Sequence, residues 1–140
     1  MSTATATQAP IGVMGIDHVT LIVDDLDRSA SFYVDLLGMR RVTRPDFGFP
    51  GLWFQAGKTQ IHLIQSDEKS GPAGLPDAPP QAPAGRVFHF AFQVEDCPAA
   101  IQRLKAAGIR IRGAGMRPDG YHQTWFYDPD GHVVELFSKA

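Results

Sequence analysis

The sequence predicts a mixed α+β fold made of two similar βαβββ modules, with mostly antiparallel hairpins, packed together as one domain. Three observations predict it. First, Ile16-Asp17-His18-Val19-Thr20-Leu21-Ile22-Val23-Asp24-Asp25 aligns with Val87-Phe88-His89-Phe90-Ala91-Phe92-Gln93-Val94-Glu95-Asp96, so that each His precedes a Val and two acids by the same interval. Second, each copy runs on into a helical pattern that ends at a glycine, Gly38 or Gly108. Third, residues 66–85 carry five of the eleven prolines (Pro72, Pro76, Pro79, Pro80 and Pro83) with Gly71, Gly74 and Gly85, the composition of a linker. The expected organisation is a flexible tail over 1–12 and a single domain over 13–140. Within that domain a module of 15–65, the linker 66–85 and a module of 86–138 follow one another.

Each element has its own local justification. The first helix is expected over Asp27–Leu37 with Ala30, Tyr33, Val34 and Leu37 on one face, and the second over Pro98–Ala107 with Ala100, Ile101 and Leu104. Asp25 and Asp96 are suited to cap them, Pro98 fits a first helical turn, and Gly38 and Gly108 fit the left-handed residue that ends a helix. Strand-like runs follow each glycine: 39–43, 52–56 and 59–65, then 109–112, 121–127 and 133–138. Gly113-Ala114-Gly115 lacks the third glycine and the strand–helix context of a dinucleotide site and is expected to be a loop. Each module is too small to bury a comfortable core alone, so the two are expected to pack together.

Composition narrows the function classes. Of 140 residues, 44% are hydrophobic and 20% charged, which fits a soluble globule and excludes collagen, coiled coil and wholesale disorder. The formal charge is −2, so there is no basic surplus to neutralise phosphates and no nucleic-acid partner is expected. No apolar run approaches the roughly 18 residues of a membrane span. Cys97 is the only cysteine, which excludes an internal disulfide and a cysteine-based zinc site, and the N-terminus lacks a secretory pattern. The expected compartment is the cytoplasm.

Strand alternation gathers the chemistry. Val19, Leu21 and Val23 share one face, leaving His18, Thr20 and Ile22 on the other; Ile61 and Leu63 oppose Gln60, His62 and Ile64. In the second module the apolar Phe88, Phe90, Phe92 and Val94 oppose His89, Ala91 and Gln93, and Val134 and Leu136 oppose Glu135 and Phe137. His18 is the counterpart of His89, and His62 that of Glu135. Three imidazoles and one carboxylate on module-equivalent strands can converge on one divalent transition metal (Zn, Ni, Co, Fe or Mn), a donor set that argues against Ca or Mg. A Gly57-Lys58 hairpin turn would pair Gln55 with Gln60 and Trp53 with His62, placing Trp53, Gln55 and Gln60 in the cavity. A four-residue turn at 128–131 would put His122, Thr124 and Phe126 with Glu135, whereas a bulge would substitute Tyr121 and Trp125. Arg117 is a candidate for an anionic substrate. His132 is expected at the surface, and Cys97 at a helix start rather than as a nucleophile.

These motifs, with Ser31-Phe32-Tyr33-Val34-Asp35-Leu36-Leu37-Gly38-Met39, Gln60-Ile61-His62-Leu63 and Asp128-Pro129-Asp130-Gly131-His132-Val133-Val134-Glu135-Leu136, resemble those of the vicinal oxygen chelate superfamily (glyoxalase, bleomycin resistance, extradiol dioxygenase). The resemblance covers nearly everything between residues 15 and 138. It implies a cupped sheet around a divalent metal, His18, His62, His89 and Glu135 as ligands, Glu135 as the catalytic carboxylate, a small-molecule substrate and often a homodimer. Four protein ligands on a six-coordinate ion leave two neighbouring positions for a substrate with adjacent oxygens. The sequence departs from glyoxalase I in carrying His62 where that enzyme has a second carboxylate. Extradiol dioxygenases use only the positions of His18, His89 and Glu135 as ligands, and carry a tyrosine where Trp125 stands here. An isomerase or lyase is therefore the expected activity, with a ligand-sequestering protein or a dioxygenase as alternatives.

Overall fold

In the first module, strand β1 (His18–Val23) leads through Asp25, whose carboxylate accepts from the Arg28 amide, into helix α1 (Leu26–Ala30). The helix widens into a π-type turn over Ser31–Leu36, where the Leu37 amide donates to the Phe32 carbonyl. Gly38 then takes the left-handed conformation (φ 83°) and releases the chain into β2 (Arg40–Val42), β3 (Gly51–Ala56) and β4 (Thr59–Gln65). The second module repeats the plan with β5 (His89–Gln93), α2 (Cys97–Ala106) capped by Asp96, β6 (Gly113–Met116), β7 (Tyr121–Tyr127) and β8 (Val133–Lys139). This computed structural model describes residues 8–74 and 83–140. Pro76, Pro79 and Pro80 of the linker, and residues 1–7 of the tail, lie outside the described residues.

Each module forms a four-stranded sheet, in the orders β1-β4-β3-β2 and β5-β8-β7-β6. The first strand runs parallel to the last and the remaining pairs are antiparallel, so the sheets are mixed as expected. Two strand expectations change. The sixth strand is not 109–112 but the glycine-rich segment 113–116, which pairs with β7 and places Gly113 beneath the Trp125 ring. The β7–β8 loop holds five residues rather than four, because the Asp128 carboxylate accepts from the amides of both Asp130 and His132 and folds His132 inward. His132 is consequently buried, with its Nε2 donating to the Ile22 carbonyl of the other module, and is not a surface residue.

One hydrophobic core joins the modules. Leu21, Val23, Phe54, Ile61 and Leu63 from the first sheet share it with Phe126, Val134 and Leu136 from the second, with Phe32, Tyr33 and Leu104 supplied by the helices. The core-facing sides of both sheets thus turn toward each other across the helices, and the opposite faces look outward. Polar ties reinforce the contact: Asp130 accepts from the Asp24 amide, the Arg28 guanidinium and the Ser29 hydroxyl. The linker is anchored at both ends. Asp67 closes a turn by accepting from the Lys69 and Ser70 amides, the Gly74 amide donates to the Ile22 carbonyl, and Ala84–Arg86 form a 3₁₀ turn.

The buried Tyr33 hydroxyl donates to Asp128 at 2.7 Å. Burial first, and the Asp128 charge second, push the phenol well above its usual value. The folded chain therefore holds this proton more tightly than the unfolded one, and its contribution to stability is lost as pH rises beyond the unfolded phenol value of about 10. Urea titrations at increasing alkaline pH should show this loss in the wild type, and the Tyr33→Phe variant should lack it. At neutral pH that variant should be less stable by about 1–3 kcal/mol, since a buried carboxylate oxygen loses its donor.

Candidate metal centre

The outward face of the first sheet is set by the β3–β4 hairpin, whose Gly57-Lys58 turn gives the expected register: Trp53 opposite His62 and Gln55 opposite Gln60. β1 adds His18 opposite Gln60. The rings stack, His18 on His62 with centroids 3.9 Å apart and His62 on Trp53 at 4.0 Å. His18 Nδ1 lies 2.8 Å from the Asp17 carboxylate, which can only accept, so Nδ1 is the donor of this pair and the ring is oriented with Nε2 away from Asp17. His62 is held below the usual imidazole value, by burial first and by the nearby His18 second, with Arg44 adding to the effect and Asp17 opposing it. It is neutral near pH 7, with Nε2 2.8 Å from Gln60 Oε1, while Gln60 donates in turn to Gln55.

The outward face of the second sheet presents a complementary pair. His89 Nδ1 lies 2.7 Å from the Val87 carbonyl, which again fixes that proton and directs the Nε2 lone pair at Glu135 Oε1, 3.0 Å away. Two acceptors facing each other need a second proton on His89 or a cation between them, and this is where the residues present fit a metal. Glu135 is almost fully buried, its side chain 7% exposed, and receives further hydrogen bonds from Trp125 Nε1 and Gln123 Nε2.

Trp125 stands opposite Glu135, so the Tyr121/Trp125 alternative of the register holds. His122 stands opposite Ser138, on the core-facing side; the extra loop residue shifts the register by one and removes His122 from the face of Glu135. Arg117 is paired with Asp119 at 2.5 and 2.9 Å, and its guanidinium lies over the Tyr121 and Phe137 rings. The hydrogen bond to Asp119 raises its already high pKa. Its charge is thus matched within its own loop.

The four ligand-type residues do not meet within one chain. Among the described residues no three His, Cys, Asp or Glu side chains come close enough to hold an ion. They form two half-sites, His18 with His62 and His89 with Glu135, on faces that look away from the shared core. Cys97 opens α2, fully buried, with its thiol pushed up by burial, as befits a structural residue.

Sequence reasoning missed three of the partners that aim these groups, Asp17, the Val87 carbonyl and Gln123, and offered the fourth, Trp125, only as one of two register alternatives. A signal for Trp125 exists in the glycines around it. A Cβ on Gly85 would come within 2.9 Å of the indole, and one on Gly113 within 3.1 Å. Trp125→Phe, which keeps the packing and deletes the donor, should weaken divalent-metal binding by about tenfold, as loss of a ligand-orienting hydrogen bond does. Competition titration against a chromogenic chelator would measure it.

Residues 15–136 match the family described as Glyoxalase/Bleomycin resistance protein/Dioxygenase superfamily. The chain is 33% identical over 130 residues to the ethylmalonyl-CoA/methylmalonyl-CoA epimerase of Cereibacter sphaeroides, spanning 86% of this chain and 95% of that one. It is 29% identical over 130 residues to Glyoxylase I 4 of Arabidopsis thaliana, spanning 91% of this chain and 72% of the relative. Among solved structures, a glyoxalase family protein from Bacillus anthracis superposes with a TM-score of 0.74 at 24% identity, covering 94% of this chain and all of that one, which supports the fold. Among the described residues, no helix is long and apolar enough to cross a membrane.

Proposed function

The chain belongs to the glyoxalase/bleomycin resistance protein/dioxygenase superfamily, and from that premise we propose that it is a divalent-metal-dependent isomerase or lyase acting on a small substrate with two adjacent oxygens. The observation that carries the reading is the His89–Glu135 pair, with the imidazole tautomer fixed by the Val87 carbonyl so that a lone pair and a carboxylate face the same point. The epimerase and glyoxylase relatives favour isomerase or lyase chemistry over oxidation.

His18, His62, His89 and Glu135 would hold the ion. When bound, it supplies Lewis-acid stabilisation of negative charge developing on a substrate oxygen. The chain's own residues do the rest. Glu135 is the carboxylate placed to accept a proton from the substrate carbon beside the oxygens. Gln123 and Trp125 keep its two oxygens oriented, and the His18–His62–Trp53 stack forms one wall. Gln55 and Gln60 line the same wall and fix the His62 ring. Arg117 is a candidate contact for substrate only if Asp119 releases it.

The half-sites would be joined between two copies. β1 and β5 are each the outer strand of their sheet, and each bears a ligand with its partner ligand on the next strand. Setting β1 of one copy beside β5 of another creates the strand order β4-β1-β5-β8 and brings His18 and His62 toward His89 and Glu135. A two-fold dimer of this kind holds two identical sites.

Complementation tests this reading. One variant carries His18→Ala and His62→Ala, the other His89→Ala and Glu135→Gln. Each alone should retain no divalent metal after reconstitution. Refolded as an equal mixture, they should recover about a quarter of the wild-type metal, because half of randomly formed dimers contain one intact site. No recovery in a dimeric mixture would overturn the shared site. A wild-type protein that takes up no Zn, Ni, Co, Fe or Mn would overturn the metal reading itself.

A further inference from the structure

Beyond the half-site of the first module the aromatic stack continues. Trp53 contacts Phe47 with centroids 6.0 Å apart, and Phe47 packs on Phe49 at 5.9 Å. His18, His62, Trp53, Phe47 and Phe49 therefore form one unbroken row of rings. The row ends at a cavity of about 720 Å³ lined by Ile22, Phe47, Phe49 and Ile64, with Asp67 and Lys69 at its rim. Ile22 and Ile64 are register partners that share the alternation of His18 and His62, so the cavity floor and the ligand residues belong to the same outward face.

Two features make this a built seat rather than incidental roughness. Phe47 and Phe49 are 53% and 41% exposed, an unusual cost for neighbouring aromatic rings, and the loop that carries them is fastened. The Arg44 guanidinium lies 5.0 Å from both ring centroids and donates to the Phe49 carbonyl, in a space that Gly51 leaves open. The rim is not anion-binding: Glu68 adds a second acid to the lining, against Lys69 alone, and the Asp67 carboxylate is already taken by the Lys69 and Ser70 amides. Such a cavity does not suit the phosphates or carboxylates of a polar carrier tail.

We propose that the substrate carries its two chelating oxygens on an aromatic body, and that Phe47, Phe49 and Trp53 select that body by stacking, with Ile22 and Ile64 beneath it. The inference rests on the metal reading above for the position of the oxygens, and on the ring row alone for the aromatic seat.

Two hydroxamates with the same chelating head test it: benzohydroxamate and acetohydroxamate. On zinc-loaded protein, calorimetry should give benzohydroxamate at least about tenfold the affinity of acetohydroxamate, the effect of burying one ring face. In a Phe47→Ala/Phe49→Ala variant the two affinities should become equal, with acetohydroxamate binding and zinc content unchanged. Because both residues are exposed loop positions, this variant should fold normally, and Phe47→Leu should give an intermediate ratio. A second arm omits metal. Saturation-transfer NMR should detect the benzohydroxamate ring on the zinc-free wild type and not on the double variant. Equal affinities in the zinc-loaded wild type, or an undiminished NMR signal in the double variant, would overturn the aromatic seat while leaving the metal reading intact. Failure of both hydroxamates to bind protein that also takes up no zinc would overturn the metal reading, and the NMR arm would then decide the seat by itself.

Discussion

Glu135→Gln should lower divalent-metal affinity by more than about 100-fold and abolish turnover, while leaving the fold intact. Gln preserves volume but removes the charge, and its amide nitrogen would confront the Gln123 amide that now donates to Glu135 Oε2 at 3.0 Å. The carboxylate accepts from Trp125 and Gln123 and faces His89 Nε2 at 3.0 Å, so three oriented groups converge on a single side chain. Losing a ligand should exceed the 10- to 100-fold cost typical of losing an orienting partner, roughly 3 kcal/mol or more. Thermal unfolding with and without zinc makes the check: the wild type should be stabilised by saturating zinc and the variant should not. A variant stabilised by zinc as strongly as the wild type would remove Glu135 from the site.

Phe126→Ala should destabilise the chain by about 3–5 kcal/mol, a large part of the stability of a domain this size. Phe126 is fully buried on β7, and its ring meets Phe32 of the first module at a centroid distance of 6.0 Å. The cavity left behind would open at the seam between the modules rather than inside either one. Both modules should still unfold in a single transition, at lower urea and with unchanged slope, because Asp130 continues to bind Asp24, Arg28 and Ser29. Two separate transitions would show that the aromatic contact, and not the polar latch, couples the halves.

The fold was largely legible because its determinants are local. Asp25 and Asp96 cap the helices they were expected to cap, Gly38 and Gly108 end them in left-handed conformations, and Gly57-Lys58 fixes the β3–β4 register. Where tertiary contacts decide, the sequence misled. His132 looks like a loop residue until the Asp128 carboxylate gathers the amides that fold it inward, and that same extra loop residue moves His122 off the site face. Gly113-Ala114-Gly115 has poor strand propensity, yet it forms β6 by pairing with β7, where Gly113 leaves room for the Trp125 ring opposite it. The four ligand candidates lie on outward faces as alternation requires. Their failure to meet in one chain is a property of how the modules pack back to back, which no periodicity encodes.

The 3₁₀ turn at Ala84–Arg86 has a practical implication. Gly85 sits against the indole whose nitrogen holds Glu135, so the last few residues before β5 brace the His89–Glu135 half-site rather than serving as a passive tether. Anyone dividing the gene to express the halves separately should cut upstream of Pro83. A fragment starting at Phe88 would keep His89 and Glu135 and lose the brace beside the indole that orients Glu135.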